Sequence, residues 1–353
     1  MESLPAASMR AKWGPRYDSR YELRHVNEPA AARFDPALGA WILSTYADVS
    51  AALRDPRLSL SASVDVSRQA KEAFREAAGR ALSPQRVADW RVAVERSAVR
   101  RAQALALDEP VDLVTAFAAP FSAEVAAIVS GATVSECARL SAPAREIFRA
   151  AAFATRSDAQ PHTHHAVATL SRALPGPDAA IAVQSFVALS QTLPCVLAGV
   201  WLALIDAADL MNQLRRTPGL LTRAVDELLR LTGTSRAVFR HAAADTRIGA
   251  AHIRSGERVI LMIAAANRDS AQFADPSRLD LSRGAAGHLA LGIGMHSCLG
   301  ASVVRMTVAC ATTALFDATT SVELAGPVEW LDGFAIRAPA TLPVVLRLVH
   351  GAR

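Results

Sequence analysis

A single cysteine enclosed by glycines is the feature that most restricts what this chain can fold into. Residues 291–305 read LGIGMHSCLGASVVR, with Cys298 between Gly294 and Gly300 and an apolar helical pattern after it. The glycines let the backbone turn tightly and approach a flat ligand closely. The loop ends where a helix begins, and the unpaired amides and positive dipole end of a helix favour a thiolate. A thiolate held rigidly in this way is a ligand for a soft or borderline metal, and haem iron is one candidate.

The alternative for a lone cysteine in a glycine-rich turn is a buried structural residue, because free cysteine packs as a small hydrophobe. Six positions in this run agree at once, namely Gly292, Gly294, His296, Cys298, Gly300 and Arg305. The run resembles the cysteine-ligand loop of cytochrome P450, the haem-thiolate oxygenase family. The resemblance implies that Cys298 ligates the iron of haem b. The family usually has phenylalanine where this chain has Leu291, and that ring covers the sulfur and tunes the electron density at iron.

Composition indicates a globular protein with a large core. The chain has 353 residues, which allows two domains or one large α-rich domain, and 51% of them are apolar. The net charge of +5 is spread along the chain apart from arginine-rich patches at 96–101 and 215–216. We interpret these patches as solvated helix faces, with a docking surface for an acidic electron donor as the alternative. Nothing resembles a nucleic-acid-binding module.

Cysteine usage and the N-terminus predict a cytoplasmic protein. The four cysteines are scattered without metal-finger spacing, which is typical of a reducing compartment. The first residues, MESLPAASMRAKWG, have no apolar centre and do not form a signal peptide. The run 186–205 is long enough to span a bilayer, but it contains polar residues and Pro194 in its first half. We therefore predict a buried central helix and no membrane association.

Residues 39–59, GAWILSTYADVSAALRDPRLS, resemble the family's first sheet strand and the helix after it. Residues 40–44 predict a strand and 46–54 an amphipathic helix that Asp55-Pro56 ends, after an irregular lead-in over 1–30. The stretch 58–71 is shorter than in the family, which implies a reduced roof over the substrate pocket. A helix over 71–82 follows, and the resemblance places Lys71 and Arg75 where haem propionates are bound. An ordinary surface pair at helical spacing is the alternative.

The middle of the chain matches the family only in its helical pattern. Residues 84–155 predict successive helices, with small and apolar residues at spacings of three and four. Three histidines, His162, His164 and His165, follow in a polar stretch. No carboxylate or cysteine accompanies them at ligand spacing, so we predict an exposed loop and not a metal site.

A long spine helix is predicted from about 178 to 210. Its residues 188–192, ALSQT, lie where the family usually has Ala-Gly-x-Glu/Asp-Thr beside the oxygen site. The resemblance implies that the Thr192 hydroxyl hydrogen-bonds there and helps to deliver protons. Gln191 replaces the usual acid and does not titrate near neutral pH, and Leu189 replaces the small glycine. Pro194 removes a helix hydrogen bond and predicts a kink.

A Glu-x-x-Arg pair such as Glu227 and Arg230 is common on helix surfaces and by itself indicates no function. It becomes informative because the segments that follow it in the chain also match the family, in the same order. Arg278 lies in FADPSRLD, which resembles the segment that supplies a second arginine to that glutamate. The resemblance therefore implies a buried cluster of Glu227, Arg230 and Arg278 that would be costly to break. Residues 245–262 alternate as a β-hairpin does. Arg240, His296 and His288 match partners of the propionates, and the sequence ANRD at 266–269 also matches.

These features predict a mainly α fold with small β-sheets (α+β), a cytochrome P450-like fold around a buried haem b. We predict one domain over 1–353, with a β-rich lobe (37–70, 235–265 and 320–349) and a helical lobe (71–234 and 285–318). Strands are expected near 322–324 and 341–349, and a hairpin tip at 334–336 is expected to reach the pocket. The predicted pocket walls, besides Thr192, are Ala188, Leu189, Ala237, Val238 and Phe334.

Three functions follow from the resemblance. The first is a monooxygenase that hydroxylates a small, mostly apolar substrate of specialised metabolism, free or presented on a carrier protein, with electrons from a ferredoxin-type donor. The second is a haem enzyme with other chemistry, such as peroxide-dependent oxidation, dehydration or rearrangement, and Gln191 and Leu189 motivate it. The third is a non-catalytic partner of another enzyme, which the shortened chain favours and the intact Cys298 loop opposes.

Overall fold

The chain folds into many helices and several short strands. The structure, a computed structural model, describes residues 29–60, 68–153, 160–174, 176, 178–217, 219–283 and 287–347. The helices among them are α1 (Tyr46–Arg54), α2 (Arg68–Ala81), α3 (Pro84–Gln103), α4 (Ala119–Ser130), α5 (Val134–Phe153), α6 (Gln160–Ala173), α7 (Ala179–Val187), α8 (Leu193–Asp206), α9 (Ala208–Arg216), α10 (Leu220–Thr232), α11 (Ile263–Ala266) and α12 (Ala301–Ala318). The strands are β1 (Arg33–Asp35), β2 (Ala40–Leu43), β3 (Leu58–Ser59), β4 (Pro110–Asp112), β5 (Val238–Ala242), β6 (Thr246–Ile248), β7 (Ala251–Ile253), β8 (Arg258–Leu261), β9 (Ser321–Leu324), β10 (Trp330–Asp332), β11 (Arg337–Pro339) and β12 (Pro343–Arg347). The predicted α+β class is confirmed. Most of the predicted lead-in and the centre of the shortened roof stretch lie outside the described residues.

Two compact units make up the fold. The sheet unit comprises Met1–Asp65, Ser235–Arg278 and Gly287–Ser297, and the helical unit comprises Val66–Thr234, Leu279–Ala286 and Cys298–Arg353. Single-domain behaviour stays a prediction. The strands after residue 320 belong to the helical unit, whereas we had grouped them with the β-rich lobe. The reason is strand pairing, because β12 pairs antiparallel with both β9 and β4.

The sheet unit is built on strands in the order β1-β2-β8-β5-β3 within the described residues. Strands β2 and β8 run parallel, with Ala40 opposite Arg258, and the other neighbours are antiparallel. Helix α1 begins at Tyr46 because the Thr45 hydroxyl accepts a hydrogen bond from the Asp48 amide at 3.1 Å. It ends before Pro56, as predicted, and buries Val49 against the apolar side chains of the strands.

The helical unit is centred on α8, which is apolar on almost every side. Trp201 is fully buried there, and its indole Nε1 donates to the Thr312 hydroxyl of α12 at 3.2 Å. The Trp201 ring also packs on Phe117, with ring centroids 5.1 Å apart. Buried aromatic packing of this kind stabilises a helical core strongly, and the indole keeps a partner for its polar atom. A central buried helix was predicted from this run, and the structure contains it.

Two helical runs among the described residues have the length and apolar composition to cross a membrane. They are Ala179–Asp206 and Ala301–Ala318, and the protein buries 61% and 50% of their most apolar windows. In the first run the buried residues include Phe186, Leu197 and Trp201, which pack inside the helical unit. A fully apolar helix at the centre of a large core explains the same composition.

Arginines of α3 bind a buried carboxylate. This differs from the prediction, which was a solvated helix face. Glu124 of α4 is 6% exposed, and it accepts hydrogen bonds from Ser97, Arg100 and Arg101. Arg215 is likewise committed, because it donates to the carbonyl of Phe316 at 2.7 Å at the end of α12. Both patches therefore fasten helices together, which leaves less free charge for a docking surface.

Loss of the Glu124 charge is expected to weaken the protein at neutral pH. Burial raises the pKa of Glu124, but the hydrogen bonds from Ser97 and Arg101 and the charges of both arginines outweigh burial and hold it below its ordinary 4.5. A lowered pKa means that the ionised carboxylate stabilises the fold above pH 4.5 and that this contribution disappears as the pH falls through the folded value. We expect Glu124→Gln to cost about 1–2 kcal/mol at pH 7. Urea titrations at several pH values should also show a weaker acid dependence in the variant. An unchanged acid dependence would contradict the role of Glu124.

The histidine cluster lies on a helix and not in the loop that we predicted. Helix α6 begins at Gln160, with Pro161 in its first turn, where a missing N–H costs nothing. His164 and His165 are exposed, and the side chain of His162 lies outside the described residues. No group of metal-ligating residues occurs in the part of the chain that was described.

Candidate functional site

The cysteine loop turns on two glycines with left-handed backbone. Gly292 and Gly294 have φ angles of +65° and +71°, and the turn Gly294–His296 closes with a hydrogen bond of 3.1 Å from the Ser297 amide to the Gly294 carbonyl. Few side chains tolerate these φ angles, so the glycines are a backbone requirement. A Cβ on Gly294 would also lie 2.8 Å from the Leu53 carbonyl oxygen of α1.

Gly294→Ala is therefore expected to destabilise the sheet unit. Both the φ angle and the clash with the Leu53 backbone oppose the added Cβ, and together they should cost about 2–3 kcal/mol. Gly79 of α2 is the matched control, because its φ is not positive and a Cβ there meets nothing within 4 Å. Gly79→Ala should leave stability equal or raise it by about 1 kcal/mol. Thermal unfolding of both variants checks this, and equal midpoints would contradict it.

Cys298 lies just before α12 in the helical unit. Gly300 caps the helix, its amide donates a hydrogen bond to the Cys298 sulfur, and the charge of Arg305 one turn later acts on the same thiol. Burial nevertheless raises the pKa of the thiol, and these two groups oppose that shift without reversing it. This net direction differs from the thiolate that we predicted, because the surrounding protein outweighs the helix end. The Cys298 side chain is still accessible at the surface, unlike the other three cysteines.

Arg305, the last residue of the sequence run, has a structural contact of its own. Its Nε donates to the Asp226 carboxylate at 2.7 Å and ties α12 to α10. The helix that carries the cysteine loop is thus anchored one turn after it begins.

The spine helix changes its winding at the predicted oxygen site. Residues Ala188–Thr192 form a π-helical turn between α7 and α8, and the Leu193 amide bonds to the Ala188 carbonyl, five residues back. Pro194 follows directly and has no N–H to give, which disfavours regular α-helical bonding at this point. π-Turns of this kind frequently mark functional positions. The predicted kink thus takes the form of a wider turn.

Thr192 and Gln191 end this π-turn with polar side chains that are half-buried. Gln191 donates from Nε2 to the Ser190 hydroxyl at 3.2 Å, and its side-chain oxygen Oε1 has no hydrogen-bond partner among the described residues. Within the described part of the chain, no hydrogen bond engages the Thr192 hydroxyl. Ala188 is exposed whereas Leu189 is only 5% exposed, so Leu189 contributes little to the open side of the turn.

Gln191 also lines a cavity in the helical unit. The cavity has a volume of about 490 Å³, and its other walls come from α5 and β10. The lining residues are Arg145, Phe148, Arg149, Gln191 and Leu331. This volume suits a small organic molecule.

Arg240 is a buried cation in the sheet unit. The residue is 4% exposed, and its Nη1 donates to the neighbouring Phe239 carbonyl at 2.8 Å. Among the described residues, its Nε has no hydrogen-bond partner and no carboxylate pairs with its guanidinium. Burial lowers the pKa of Arg240 to about 10. An arginine desolvated without an anion is unusual, and it suits a site that receives an anionic ligand.

A buried ionic cluster lies beside the cysteine helix. Glu227 of α10 accepts from Arg230 at 2.7 and 2.9 Å, and it also accepts from the Arg283 Nε and the Asp280 amide at 3.1 Å each. Glu227 and Arg230 are 4% and 2% exposed. The second arginine that the structure shows on Glu227 is Arg283, five residues beyond the predicted Arg278. Arg278 has contacts of its own, and its predicted place in the cluster stays a prediction.

Comparison with known proteins agrees with this geometry. The family model described as cytochrome P450 matches residues 208–318. The LnmA cytochrome P450 hydroxylase of Streptomyces atroolivaceus has a similar fold, with a TM-score of 0.76 and 25% identity over 93% of this chain and 96% of LnmA. Pentalenic acid synthase of Streptomyces avermitilis is 26% identical over 86% of this chain and 88% of its own length. Over these ranges the chain is similar to cytochromes P450, and it has their fold.

The strongest local similarity covers a shorter segment. Cytochrome P450 105A3 of Streptomyces carbophilus is 41% identical over 147 residues, which make up 40% of this chain and 36% of that relative. The chain thus aligns with about a third of that P450. The cytochrome P450 family that these similarities indicate uses a haem cofactor.

The other predicted haem and pocket residues lie at varied depths in the protein. His288 is buried, Ala237 and Phe334 are buried, and Val238 is half-buried. Leu291, His296 and Arg75 are half-buried as well, and the last two make contacts within the protein. Lys71 lies in α2, but its side chain lies outside the described residues.

Sequence reasoning missed the residues of α5 that line the cavity. Arg145, Phe148 and Arg149 occupy one face of that helix at spacings of three and four. The pattern R-x-x-F-R was visible in the sequence. Its significance was not, because helical periodicity does not show which face of a helix meets an open space.

Proposed function

We propose that this protein is a haem-thiolate monooxygenase that hydroxylates a small, mostly apolar organic substrate in bacterial specialised metabolism. The observation that carries the proposal is the Cys298 thiol, held by the Gly300 amide at the start of α12. The same unit carries the free hydroxyl of Thr192 on a π-turn of the spine. A cytoplasmic location and a ferredoxin-type electron donor are part of the proposal.

The residues present fit a haem b group. A porphyrin needs one soft ligand for iron and cationic partners for its propionates. Cys298 supplies the first, and Arg240 is a buried cation without an anion among the described residues. The proposed haem-binding residues are Cys298, Gly300, Lys71 and Arg75 in the helical unit, and Leu291, Gly292, Arg240 and His296 in the sheet unit.

When bound, the haem supplies reductive activation of dioxygen, so that one oxygen atom enters a C–H bond of the substrate and the other leaves as water. The protein's own residues bind and orient the substrate and deliver protons. Thr192 Oγ1 can accept a hydrogen bond and donate one in turn. Gln191 cannot act as an acid at neutral pH, so its amide would orient a water molecule that brings protons to Thr192. These two polar groups occupy consecutive positions at the end of the π-turn, directly before the apolar helix α8.

Gln191 also favours a second candidate, a haem reaction that does not use dioxygen and an electron donor. Peroxide-dependent oxidation, dehydration and rearrangement need no carboxylic acid at this position. The observation that supports it is the polar link from Gln191 to Ser190, which occupies the amide in a neutral contact.

The test is spectroscopic first and chemical second. Protein purified with haem supplied should show the red-shifted carbon-monoxide band of thiolate-bound haem after reduction. Turnover with a ferredoxin system and isotopically labelled dioxygen should then place label in the product. Product formed only with peroxide, or product without label, would support the second candidate. Protein that takes up no haem would refute both and leave a partner role.

A further inference from the structure

Two exposed arginines line the cavity of the helical unit, and no group in the described part of the chain pairs with their charges. Arg145 and Arg149 lie one turn apart on α5 and both line the cavity. Neither forms an ion pair or hydrogen bond with any other part of the chain that was described. Arg139 on the same helix differs, because it approaches the Glu136 carboxylate at 3.8 Å.

Two like charges at this spacing repel each other, so an empty pair is unfavourable. An anion between them would remove that repulsion and would gain charge-assisted hydrogen bonds from both guanidinium groups. The nearest acid in sequence, Glu146, points along a different line of the helix and does not line the cavity. The arginines are therefore available to a ligand.

The remaining walls restrict the kind of anion. Phe148 and Leu331 offer half-buried apolar surface, and Gln191 lies on the π-turn next to Thr192. The volume of about 490 Å³ suits a small molecule with an apolar body. A polyanion such as nucleic acid would find no extended basic surface in so small a concave site.

We propose that the cavity binds a small organic carboxylate whose anionic end is held by Arg145 and Arg149 and whose apolar body packs on Phe148 and Leu331. This inference deepens the proposed function by naming the substrate class, and it rests on that function only for the reaction that follows binding. Arg145 and Arg149 would then be specificity-determining residues.

Titration calorimetry on the haem-loaded protein tests the inference with two matched pairs of probes. The pairs are decanoate with decan-1-ol, and 3-phenylpropionate with 3-phenylpropan-1-ol. At least one acid should bind about tenfold or more tightly than its alcohol, as expected for a charge-assisted contact. Arg145→Gln and Arg149→Gln should each weaken that acid by about fivefold to tenfold and leave its alcohol unchanged. Arg139→Gln, on the same helix but away from the cavity, should change neither.

The inference is overturned if neither acid binds more tightly than its alcohol, or if the double variant Arg145→Gln with Arg149→Gln keeps the acid preference. Calorimetry measures binding of the acid in the cavity, whereas the carbon-monoxide band reports coordination of the haem iron by Cys298. A protein with the thiolate band but no acid preference would therefore refute the carboxylate and leave the proposed function intact. A protein that prefers the acid but lacks the thiolate band would refute the proposed function and leave the carboxylate site intact.

Discussion

Cys298→Ser is expected to abolish the red-shifted carbon-monoxide band of the reduced, haem-loaded protein. Serine keeps the size and the hydrogen bond from the Gly300 amide, so the loop should fold as before. It removes the soft donor atom, and an alcohol is a far weaker ligand for iron than a thiolate. If the proposed monooxygenase function is right, turnover should fall at least about a thousandfold, because a thiolate ligand favours cleavage of the oxygen–oxygen bond.

The raised pKa of Cys298 makes this variant informative. In the protein without metal, burial disfavours the thiolate despite the Gly300 amide and Arg305. Coordination to a metal ion deprotonates a thiol outright, so the bound iron and not the helix end would supply the driving force for ionisation. Only an atom bonded to the iron should therefore change the band so completely.

Cys137→Ser is the matched control for the spectrum. The Cys137 sulfur is buried and donates to the carbonyl oxygens of Ala123 and Thr133 at 3.4 and 3.5 Å. A serine hydroxyl is also a single donor and can bond to either carbonyl oxygen, so the fold and the carbon-monoxide band should both persist. If Cys298→Ser kept the band while both variants bound haem, Cys298 would not be the ligand.

The sequence predicted best where local chemistry alone determines the structure. Pro56 ends α1 as predicted, because a helix cannot easily continue into a proline. Gly292 and Gly294 adopt positive φ angles that few other residues tolerate, so their role in the turn was also predictable. The central helix was predictable because its apolar run is too long for any other element of a globular core. These features are determined by residues close together in the sequence, which is why the sequence alone could predict them.

The sequence predicted less where distant segments meet. Strand β12 pairs with β4, and this pairing joins residues more than two hundred positions apart. It is the reason that the last strands belong to the helical unit. The sequence predicted a solvated patch for the arginines that bind Glu124. Neighbouring residues in the chain do not indicate that a buried carboxylate lies opposite them. The net pKa shift of Cys298 was missed for the same reason, because burial depends on the whole fold. The roles of the haem and pocket residues stay predictions.

Glu227→Ala is expected to be the most destabilising single change in the helical unit. The carboxylate is 4% exposed and receives hydrogen bonds from Arg230, Arg283 and the Asp280 amide. Removing one partner from a buried ion pair leaves the other charge without compensation, which costs about 3–5 kcal/mol. That is a large part of the total stability of a typical domain. Urea unfolding with an unchanged slope would measure the loss.

Exposed pairs provide the contrast for this experiment. Arg91 and Glu95 on α3 approach within 3.4 Å, and both side chains are about half exposed. Glu95→Ala should cost less than about 0.5 kcal/mol, because water screens such a pair. Arg283→Ala should fall between the two, since its side chain is 16% exposed and can reach water. A loss below about 1 kcal/mol for Glu227→Ala would show that the cluster is not a stabilising lock.

A double variant separates the loss of contacts from the cost of an uncompensated charge. Replacing Glu227 and Arg230 together by leucine and methionine removes both buried charges and fills similar volume. If the cost of the single change comes mainly from a stranded cation, the double variant should be more stable than Glu227→Ala by about 1–3 kcal/mol. If the cost comes from lost hydrogen bonds instead, the double variant should be less stable than Glu227→Ala. The cluster lies on α10, which Arg305 and Asp226 tie to the cysteine helix. Loss of stability at Glu227 should therefore also lower the haem content of purified protein, whereas Glu95→Ala should not.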